Sequence, residues 1–363
     1  MKRIKTIAVW IASIGVGLIL LLVALVWATT FHPARVQAAP VTCTPQTPLL
    51  RPGQRLKILT YNVQYMAGKG YVFFYDVLDG SGPDERPSAQ SIGRTLAAVA
   101  EVIRDEDPDL VLLQEVDEGA KRTDYEDQAA RLLALLGSRY PCYTSAFYWK
   151  ADFVPHPRIR GAVGMKLVTL SKYRITTATR HQLALMPADP VTRQFNLKRA
   201  ILEARLPMAN GHEFVVLNTH LEAFAQGSDT MEKQVAETQA LVQQLTDEGH
   251  PWVIGGDFNL LPPGAYDRLA DDQKRYYKPE TELARLYDHF QAVPSLADVE
   301  GAGYQQWYTH FPNNPAVTAP NKTIDYFFLS PQIEMLTSTV RQHDTLSISD
   351  HLPVVVEVAV PRR

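Results

Sequence analysis

The chain has 363 residues and a formal net charge of −3, from 36 lysines and arginines against 39 aspartates and glutamates. Residues 1–40 hold four basic residues and no acidic one, which leaves 32 basic against 39 acidic residues in the remainder, a net charge of −7. This balance excludes a protein that binds nucleic acid through a strongly basic overall charge, although a local basic groove stays open. The length suits one large catalytic domain.

An apolar stretch from Ile7 to Trp27 contains 21 residues without a charge. A helix rises about 1.5 Å per residue, so this stretch can cross a hydrocarbon core of about 30 Å. We therefore predict a single transmembrane anchor at residues 7–29, after a cytoplasmic N-terminus at residues 1–6. Three basic residues before the span, against one shortly after it, predict a catalytic domain on the periplasmic or extracellular side. A cleaved signal peptide is the alternative, since residues 36–38 offer a small-residue cleavage pattern, but its apolar core usually has only about 7 to 15 residues.

Residues 30–54 contain five prolines. This composition prevents a helix and predicts an extended, semi-rigid tether that holds the domain away from the membrane. Cys43 lies in this tether, and Cys142 lies far along the chain. In an oxidising compartment the two could pair and fix the tether to the domain, or they could stay as free thiols. We place the catalytic domain at residues 55–363.

Several predicted strands lead into polar residues that suit phosphate or metal chemistry. The first strand of the domain has Asn62 at its end. A buried strand at residues 110–113 leads to Glu115, and a buried carboxylate is costly to leave unpaired, so a bound cation would explain its position. Another strand leads to His220, although a single histidine in such a place is more often structural than catalytic.

The stretch from Trp252 to Leu260 ends an apolar run with two glycines and then presents Asp257 and Asn259. Its β-branched residues predict a strand, and the glycines allow the backbone to bend or to approach a ligand closely. A carboxylate and a carboxamide two residues apart suit a phosphate ester, because one can orient water or a metal and the other can donate to a phosphoryl oxygen. A simple turn is the alternative, since glycine, aspartate and asparagine are common in turns.

Further candidates come from two other regions of the sequence. Asp325 enters a predicted strand near the C-terminus, and Asp350 with His351 precedes the last strand. The Asp-His pair could be a cap, but it supplies the general base that the other groups lack. Arg199, on a strand ahead of His220, is a candidate phosphate contact, with an ordinary surface arginine as the alternative.

In this order and with these neighbours, the candidate residues resemble the motifs of the endonuclease/exonuclease/phosphatase superfamily, which includes deoxyribonuclease I-like and sphingomyelinase-like enzymes. The resemblance covers residues 55–360, and its most specific parts are Gly-Asp-Phe-Asn at 256–259 and Ser-Asp-His at 349–351. It implies an α/β fold of four layers, in which two packed mixed β-sheets are flanked by helices. The alternating strand and helix patterns of the sequence agree with this fold.

The resemblance implies roles for the candidate residues. It places the metal beside Asn62, Glu115 and Asp350, and it assigns catalysis to His220, Asp257, Asn259, Asp325 and His351. Asp257 would align or deprotonate the attacking water, and Asn259 would hold a phosphoryl oxygen. His351, oriented by Asp325, would act as a base or as a stabilising cation. His220 would donate to the phosphate or to the leaving oxygen, with no acidic partner that the sequence identifies. Mg²⁺ suits such oxygen ligands, and Mn²⁺ could replace it.

These inferences predict a membrane-anchored, metal-dependent hydrolase of phosphate esters, specifically a phosphodiesterase that acts by in-line attack of a metal-activated water. The anchor and the acidic charge favour a lipid headgroup over nucleic acid. The aromatic run at residues 71–75 adds to this only if it is a contact surface rather than core packing. An endonuclease or exonuclease is the alternative. A non-catalytic binding module is a further one, although it would be expected to lack one of the key residues. We predict no protein partner.

Overall fold

The computed structural model describes residues 2–71, 86–223, 225–314 and 317–362. Residues 72–75 of the aromatic run lie outside this part of the chain. In chain order the helices and strands are α1 (Lys2–Thr29), β1 (Val36–Ala38), β2 (Val41–Cys43), β3 (Arg55–Asn62), α2 (Ala89–Glu106), β4 (Leu110–Asp117), α3 (Gln128–Leu136), β5 (Cys142–Val154), β6 (Gly161–Ser171), β7 (Thr177–Gln182), α4 (Thr192–Phe195), β8 (Ala200–Pro207), β9 (Glu213–His220), α5 (Thr230–Asp247), β10 (Trp252–Asp257), α6 (Asp271–Lys274), α7 (Ala284–Tyr287), β11 (Gln291–Val293), α8 (Leu296–Glu300), β12 (Asp325–Leu329), β13 (Glu334–Val340) and β14 (Val354–Ala359).

The strands form two seven-stranded mixed sheets. The first sheet has the order β13, β14, β3, β4, β6, β5, β2, and the second has the order β1, β7, β8, β9, β10, β12, β11. Within the described strands each sheet contains one parallel pair, β3 with β4 and β9 with β10. Parallel neighbours end at the same edge of a sheet, and in the second sheet His220 and Asp257 are direct partners at that edge.

The two sheets pack face to face with helices outside them. The inner core joins side chains from both sheets: Ile58, Leu112, Phe214, Val253 and Phe327. Helices α2 and α3 cover the outer face of the first sheet, and α5 and α7 cover that of the second. Neighbouring residues of a strand point to opposite faces, so each central strand contributes to one inner and one outer layer. The predicted four-layer sandwich is confirmed.

The two glycines before Asp257 allow the strands to pack closely, a role that the sequence alone did not indicate. Gly256 has φ +153°, and a Cβ atom there would collide with the carbonyl oxygen of Thr219 on the neighbouring strand β9. A Cβ atom on Gly255 would overlap the ring of Phe327 in β12. The glycines therefore let β10 lie close to both of its neighbours.

Helix α1 is long and apolar. Its residues Arg3–Thr29 have a mean hydropathy of 2.8 in the most apolar window, none of which is buried against the domain, and no other described helix could cross a membrane by length and composition. A helix with these properties is either a membrane anchor or a signal sequence.

The stretch at residues 30–54, predicted to be an extended tether that holds the domain away from the membrane, is docked on the domain. Thr30 forms a β-bridge with Ala151 of β5. Strand β1 then extends the second sheet beside β7, and β2 extends the first sheet beside β5. The prolines keep this stretch extended, as predicted, and the outer strands of the sheets offer backbone groups with which an extended segment can pair. Strands of the domain therefore begin before residue 55.

Cys43 and Cys142 form a disulfide, which decides between the two states that the sequence left open. The bond joins β2 to the start of β5 and closes a loop with a sequence separation of 99 residues. It fastens the N-terminal stretch to the first sheet.

Replacing both cysteines (C43A/C142A) should lower the free energy of unfolding by about 3–5 kcal/mol, because a crosslink over a loop of about 100 residues removes chain entropy from the unfolded state. Guanidinium denaturation of the full chain in detergent measures the difference. T42A, an exposed neighbour in the same strand, is the control and should change the stability by less than about 0.5 kcal/mol. An unchanged midpoint in the double variant would contradict this role of the disulfide.

Candidate active site

Two buried amide side chains join the sheets directly beside the candidate residues. Gln114 in β4 donates through Nε2 to Asn218 Oδ1 in β9, at 2.7 Å. Asn218 donates through Nδ2 to two backbone carbonyls of the opposite sheet, both at 3.0 Å. A buried amide donor is costly to leave without an acceptor, and the donors of both amides are satisfied, so this bridge holds the two sheets in one relative position. It thereby fixes Glu115 relative to His220.

Glu115 lies on a bulge and not at the end of its strand. Strand β4 continues to Asp117, and its pairing with β6 shifts between Leu113 and Val116. Glu115 has φ +57°, and its backbone N–H donates to Tyr148 Oη at 3.2 Å. Bulges of this kind redirect a side chain, and here Glu115 lines the cleft.

Asp257 is the centre of the hydrogen bonding in the site. Its carboxylate accepts from Asn62 Nδ2 at 3.0 Å and from the backbone N–H of Asn259 at 2.9 Å. The Nε2 atoms of His220 and His351 lie 3.3 and 3.5 Å from Asp257 Oδ2. Burial raises the pKa of Asp257 to about 7, and the positive charge of His351 only partly opposes the increase. A carboxyl group with this pKa can exchange a proton near neutral pH.

Asn62 acts as a hydrogen-bond donor between two carboxylates. Its Nδ2 donates to Glu115 Oε1 at 3.1 Å and to Asp257 Oδ2 at 3.0 Å, while its Oδ1 accepts from the backbone N–H of Gln64 at 3.0 Å. In this orientation the amide oxygen faces away from the carboxylates that would hold a metal. Asn62 therefore positions the two carboxylates in this structure, and its place beside the ion stays a prediction.

His351 is held by Asp325, with Nδ1 at 2.8 Å from Asp325 Oδ2. Ser349 fixes the backbone of this segment, because its hydroxyl donates to the carbonyl of Asn62 at 2.9 Å and accepts from the N–H of His351 at 3.2 Å. Burial opposes a charge on the imidazole, but the carboxylates of Asp325 and Asp257 outweigh it and raise the pKa of His351 to about 10. His351 is therefore an imidazolium at neutral pH.

His220 is oriented by a tyrosine hydroxyl, in the place where the sequence offered no acidic partner. Its Nδ1 lies 3.2 Å from Tyr148 Oη. Since this hydroxyl already accepts from the N–H of Glu115, it can donate its own hydrogen to Nδ1, which puts the ring proton on Nε2, facing Asp257. Burial, reinforced by two nearby positive charges, lowers the pKa of His220 well below its usual value. His220 is therefore neutral.

Arg199 is buried in the cleft, which excludes the surface arginine that was its alternative. It is 3 % exposed, and its Nη2 lies 3.6 Å from Glu222 Oε1. Its Nε and Nη1 atoms are buried and have no hydrogen-bond partner within the described ranges. Buried donors are normally paired, so these two atoms are an exception, and the phosphate contact predicted for Arg199 stays a prediction.

One wall of the cleft was missed by the sequence analysis. Lys322 is 4 % exposed, and its Nζ donates to two uncharged partners, Gln273 Oε1 at 3.1 Å and Asn321 Oδ1 at 3.3 Å. Burial lowers the pKa of Lys322 to about 8. His310 lies in the same wall, with Nε2 at 3.9 Å from Asp350 Oδ2. These residues belong to a proline- and asparagine-rich loop without a periodic pattern, so nothing in the sequence indicated them.

The acidic residues of the site fit a divalent metal ion. Within the part of the chain that the structure describes, two groups have ligand atoms within 4.8 Å of one another: His310, Asp350 and His351, and Asp257, Asp325 and His351. Burial raises the pKa of Asp350 to about 6; the charge of His351 opposes this increase, and the negative charge of Glu115 adds to it. Such repulsion between carboxylates is relieved by a hard cation with oxygen ligands.

Most of the predicted site residues line one cleft of about 1010 Å³. Seven of them line it: Glu115, Arg199, His220, Asp257, Asn259, Asp350 and His351. The other two, Asn62 and Asp325, lie behind the wall and are hydrogen-bonded to residues that line it. The structure thus brings together all nine residues from distant parts of the chain.

The chain matches the family model described as "Endonuclease/Exonuclease/phosphatase family" over residues 59–351. Three solved structures illustrate the similarity of the fold. An endonuclease/exonuclease/phosphatase from Beutenbergia cavernae is 21% identical, with a TM-score of 0.56, over 85% of this chain and 72% of that chain. The human Nocturnin catalytic domain is 17% identical, with a TM-score of 0.51, over 88% and 96%. A family protein from Leptotrichia buccalis is 15% identical, with a TM-score of 0.54, over 84% and 99%. No curated protein matches the sequence.

In metal-free protein, His351 should keep both ring protons well above neutral pH. D325N should lower the pKa of His351 toward about 6.5, because the substitution removes the nearest negative charge. NMR of histidine labelled with carbon-13 measures both values, with the His351 signal assigned by its loss in H351Q. D247N, an exposed position on α5, is the control. A wild-type pKa near the ordinary value, or no change in D325N, would contradict the charged pair.

Proposed function

Since the chain belongs to the endonuclease/exonuclease/phosphatase family, and is thereby a hydrolase of phosphate esters, we propose that it is a membrane-anchored, Mg²⁺-dependent phosphodiesterase. The observation that supports this most directly is the environment of Asp257. A buried carboxylate with a raised pKa lies between one neutral and one charged histidine, and Asn62 holds it beside the carboxylate of Glu115. Proton transfer and charge stabilisation are thus available at a single point of the cleft.

We assign the metal to the side of the cleft that carries Glu115 and Asp350. Mg²⁺ or Mn²⁺ would find carboxylate oxygens there and keep open positions for water and phosphate. When bound, the ion would activate water and neutralise charge on the phosphate. The group of Asp257, Asp325 and His351 is less suitable for an ion, because the charged ring of His351 already lies between the two carboxylates, with Nδ1–H facing Asp325 and Nε2–H facing Asp257.

Three side chains divide the acid-base work. Asp257 takes a proton from the attacking water, since its raised pKa makes it a base of suitable strength near neutral pH. His351, kept charged by Asp325, places a positive charge beside the phosphoryl group, where negative charge accumulates in the transition state. His220 keeps its proton on Nε2 and can donate it to a phosphoryl or leaving oxygen. Tyr148 keeps the His220 ring in this tautomer.

Two further side chains suit the oxygens of the phosphate. Asn259 has φ +52°, and its Nδ2 donates to the carbonyl of Leu221 at 3.2 Å, which fixes the carboxamide in the cleft. Arg199 offers the unpartnered Nε and Nη1 atoms described above. A guanidinium is well suited to bind a phosphate through two donors at once.

We further propose that α1 is retained as an anchor and that the domain lies on the periplasmic or extracellular side. Cleavage after Ala38 would remove β1 and the bridge between Thr30 and Ala151, and it would leave β7 as an unprotected edge strand. The disulfide fits an oxidising compartment. The basic residues that precede the helix favour a cytoplasmic N-terminus.

As the substrate class we propose a lipid headgroup ester in preference to nucleic acid. The chain outside its first 40 residues is acidic, whereas binding to a nucleic acid backbone relies on basic side chains. The cleft also has an apolar wall, which includes Trp149, Met186 and Phe195, and such a wall suits the apolar part of a lipid.

E115Q should reduce Mg²⁺-dependent hydrolysis of bis(p-nitrophenyl) phosphate by about 10²-fold or more and should weaken Mn²⁺ binding measured by calorimetry, because it removes a carboxylate charge from the ion. E118Q is the matched control, because Glu118 directly follows strand β4, which carries Glu115, but its carboxylate pairs with Lys166 outside the cleft. Wild-type activity or Mn²⁺ affinity in E115Q would reject the metal assignment.

The same assay decides the substrate class when phospholipid vesicles and plasmid DNA replace the chromogenic ester. Hydrolysis of lipid and loss of all activity in chelator are expected. Hydrolysis of DNA alone would support the nuclease alternative, and activity that survives chelation would contradict the dependence on a metal.

A further inference from the structure

The end of α1 is fixed to the domain at β5. Thr30, directly after the helix, bridges Ala151 in this strand. The next residue, Phe31, packs edge-on against the ring of Phe147, with a distance of 6.4 Å between the ring centroids. The helix is therefore joined to the catalytic domain through a docked segment.

The bridge also fixes the direction in which α1 leaves the domain. The pairing of Thr30 with Ala151 is antiparallel, so the chain before Thr30 runs beside the part of β5 that follows Ala151. Beyond Ala151, β5 continues to Val154 and turns into β6, where Val154 pairs with Gly161. The helix and the tip of this hairpin thus extend from the same side of the first sheet.

The tip of the β5–β6 hairpin forms part of the wall of the catalytic cleft. Val154, Pro155, Pro157 and Ile159 all line it. The path from Ala151 to Val154 is three residues, or about 10 Å along a strand. The point where α1 meets the domain therefore lies close to the rim of the cleft.

The wall of the cleft next to this hairpin is apolar. Its members come from β5, β6 and the segment around α4: Trp149, Val154, Met165, Met186, Phe195 and Leu197. The indole N–H of Trp149 donates to the carbonyl of Phe195 at 2.8 Å, which joins β5 to α4. Because its polar atom is satisfied within the wall, the indole can present apolar surface to a ligand.

The rim above this wall combines exposed apolar side chains with positive charge. Phe153 is 50 % exposed and Val191, beside α4, is 62 % exposed. The hairpin at residues 150–160 carries three cations and one acid, all of them exposed: Lys150, Arg158, Arg160 and Asp152. An aromatic residue among cations is typical of surfaces that bind an anionic bilayer, and it stands out on an otherwise acidic domain.

From these observations, and resting on the proposed function, we infer that the rim formed by residues 150–160 and Val191 lies on the bilayer that α1 spans. A phospholipid of the same leaflet enters the cleft, with its phosphate beside Asp257 and its apolar part against the Trp149 wall. In the reaction a water oxygen forms a bond to phosphorus and one ester P–O bond breaks. Asp257 takes the water proton, the leaving alcohol oxygen receives a proton, and the products are an alcohol and a phosphomonoester.

The position of the rim can be measured without any turnover. The full chain, labelled with bimane through F153C, is reconstituted into vesicles of phosphatidylcholine and phosphatidylglycerol that contain brominated lipid. The two native cysteines are paired and leave the new thiol as the labelling site. The matched control is L49C, which also replaces an exposed apolar residue. Position 49 lies away from the cleft, because its neighbour Leu50 bridges Met208 at the opposite end of β8 from Arg199. Bimane at position 153 should be quenched about twofold or more, as expected for a side chain at the acyl boundary, and bimane at position 49 should not.

The activity of the F153D variant tests whether the substrate enters the cleft from the bilayer. Hydrolysis of phospholipid in the vesicles should fall about tenfold, because a charge replaces an apolar contact with the bilayer. Hydrolysis of water-soluble bis(p-nitrophenyl) phosphate should stay unchanged, since Phe153 lies outside the catalytic groups. L49D is the control and should keep both activities.

The outcomes separate this inference from the proposed function. If the wild type hydrolyses neither phospholipid nor bis(p-nitrophenyl) phosphate, the proposed function is rejected, while the quenching data still locate the rim. Equal quenching at positions 153 and 49, or equal losses of lipid and soluble activity in F153D, would overturn the membrane contact. Quenching at position 153 together with hydrolysis of plasmid DNA alone would overturn the lipid substrate.

Discussion

The buried amide bridge between Gln114 and Asn218 is the contact on which the site depends. Neither sheet holds a complete site: Asn62 and Glu115 come from the first sheet, and His220, Asp257 and Asp325 come from the second. An apolar core alone would let two sheets slide or rotate at small cost, because hydrophobic contacts have no preferred direction. The hydrogen bonds of the amides do have a preferred direction, since a small shift of one sheet would leave buried donors without acceptors. Distances of about 3 Å across the cleft are therefore maintained by hydrogen bonds one or two residues away from the reacting groups.

The second constraint is the concentration of acid in the cleft. Four carboxylates, Glu115, Asp257, Asp325 and Asp350, lie in or beside the cleft; burial raises the pKa values of Asp257 and Asp350, and the neighbouring carboxylates add to the increase. Protonated His351 balances part of this charge. A divalent ion at Glu115 would balance more, so the same feature that makes the metal-free site electrostatically costly makes it suitable for a cation and a phosphate. The difference between neutral His220 and charged His351 follows from their partners, a tyrosine hydroxyl in one case and a carboxylate in the other.

The resemblance of the sequence motifs to the family predicted the four-layer fold and the set of residues that converge, and local signals along the chain agree with both. Apolar strands that end in Asn62, His220 or Asp257 can be recognised along the chain, and parallel neighbours bring such ends together. Tyr148 could not be found in this way, since it lies in the middle of a 13-residue strand and acts through contacts with other elements. The orientation of the Asn62 amide depends on neighbours that are distant in sequence. The docking of residues 30–54 depends on which edge strands are open, which is a property of the assembled sheets and not of the segment itself.

In the proposed mechanism the metal and the proton-transferring groups occupy separate parts of one cleft, the ion with Glu115 and Asp350 and the proton with Asp257. Anomalous diffraction from crystals of the protein grown with Mn²⁺ can test this separation, because it locates the ion independently of activity. We expect a peak in contact with the Glu115 carboxylate and next to Asp350, with His351 still hydrogen-bonded to Asp325. A peak coordinated by Asp257, Asp325 and His351 would contradict the claim, since the ion would then replace the proton on which the proposed division of roles depends.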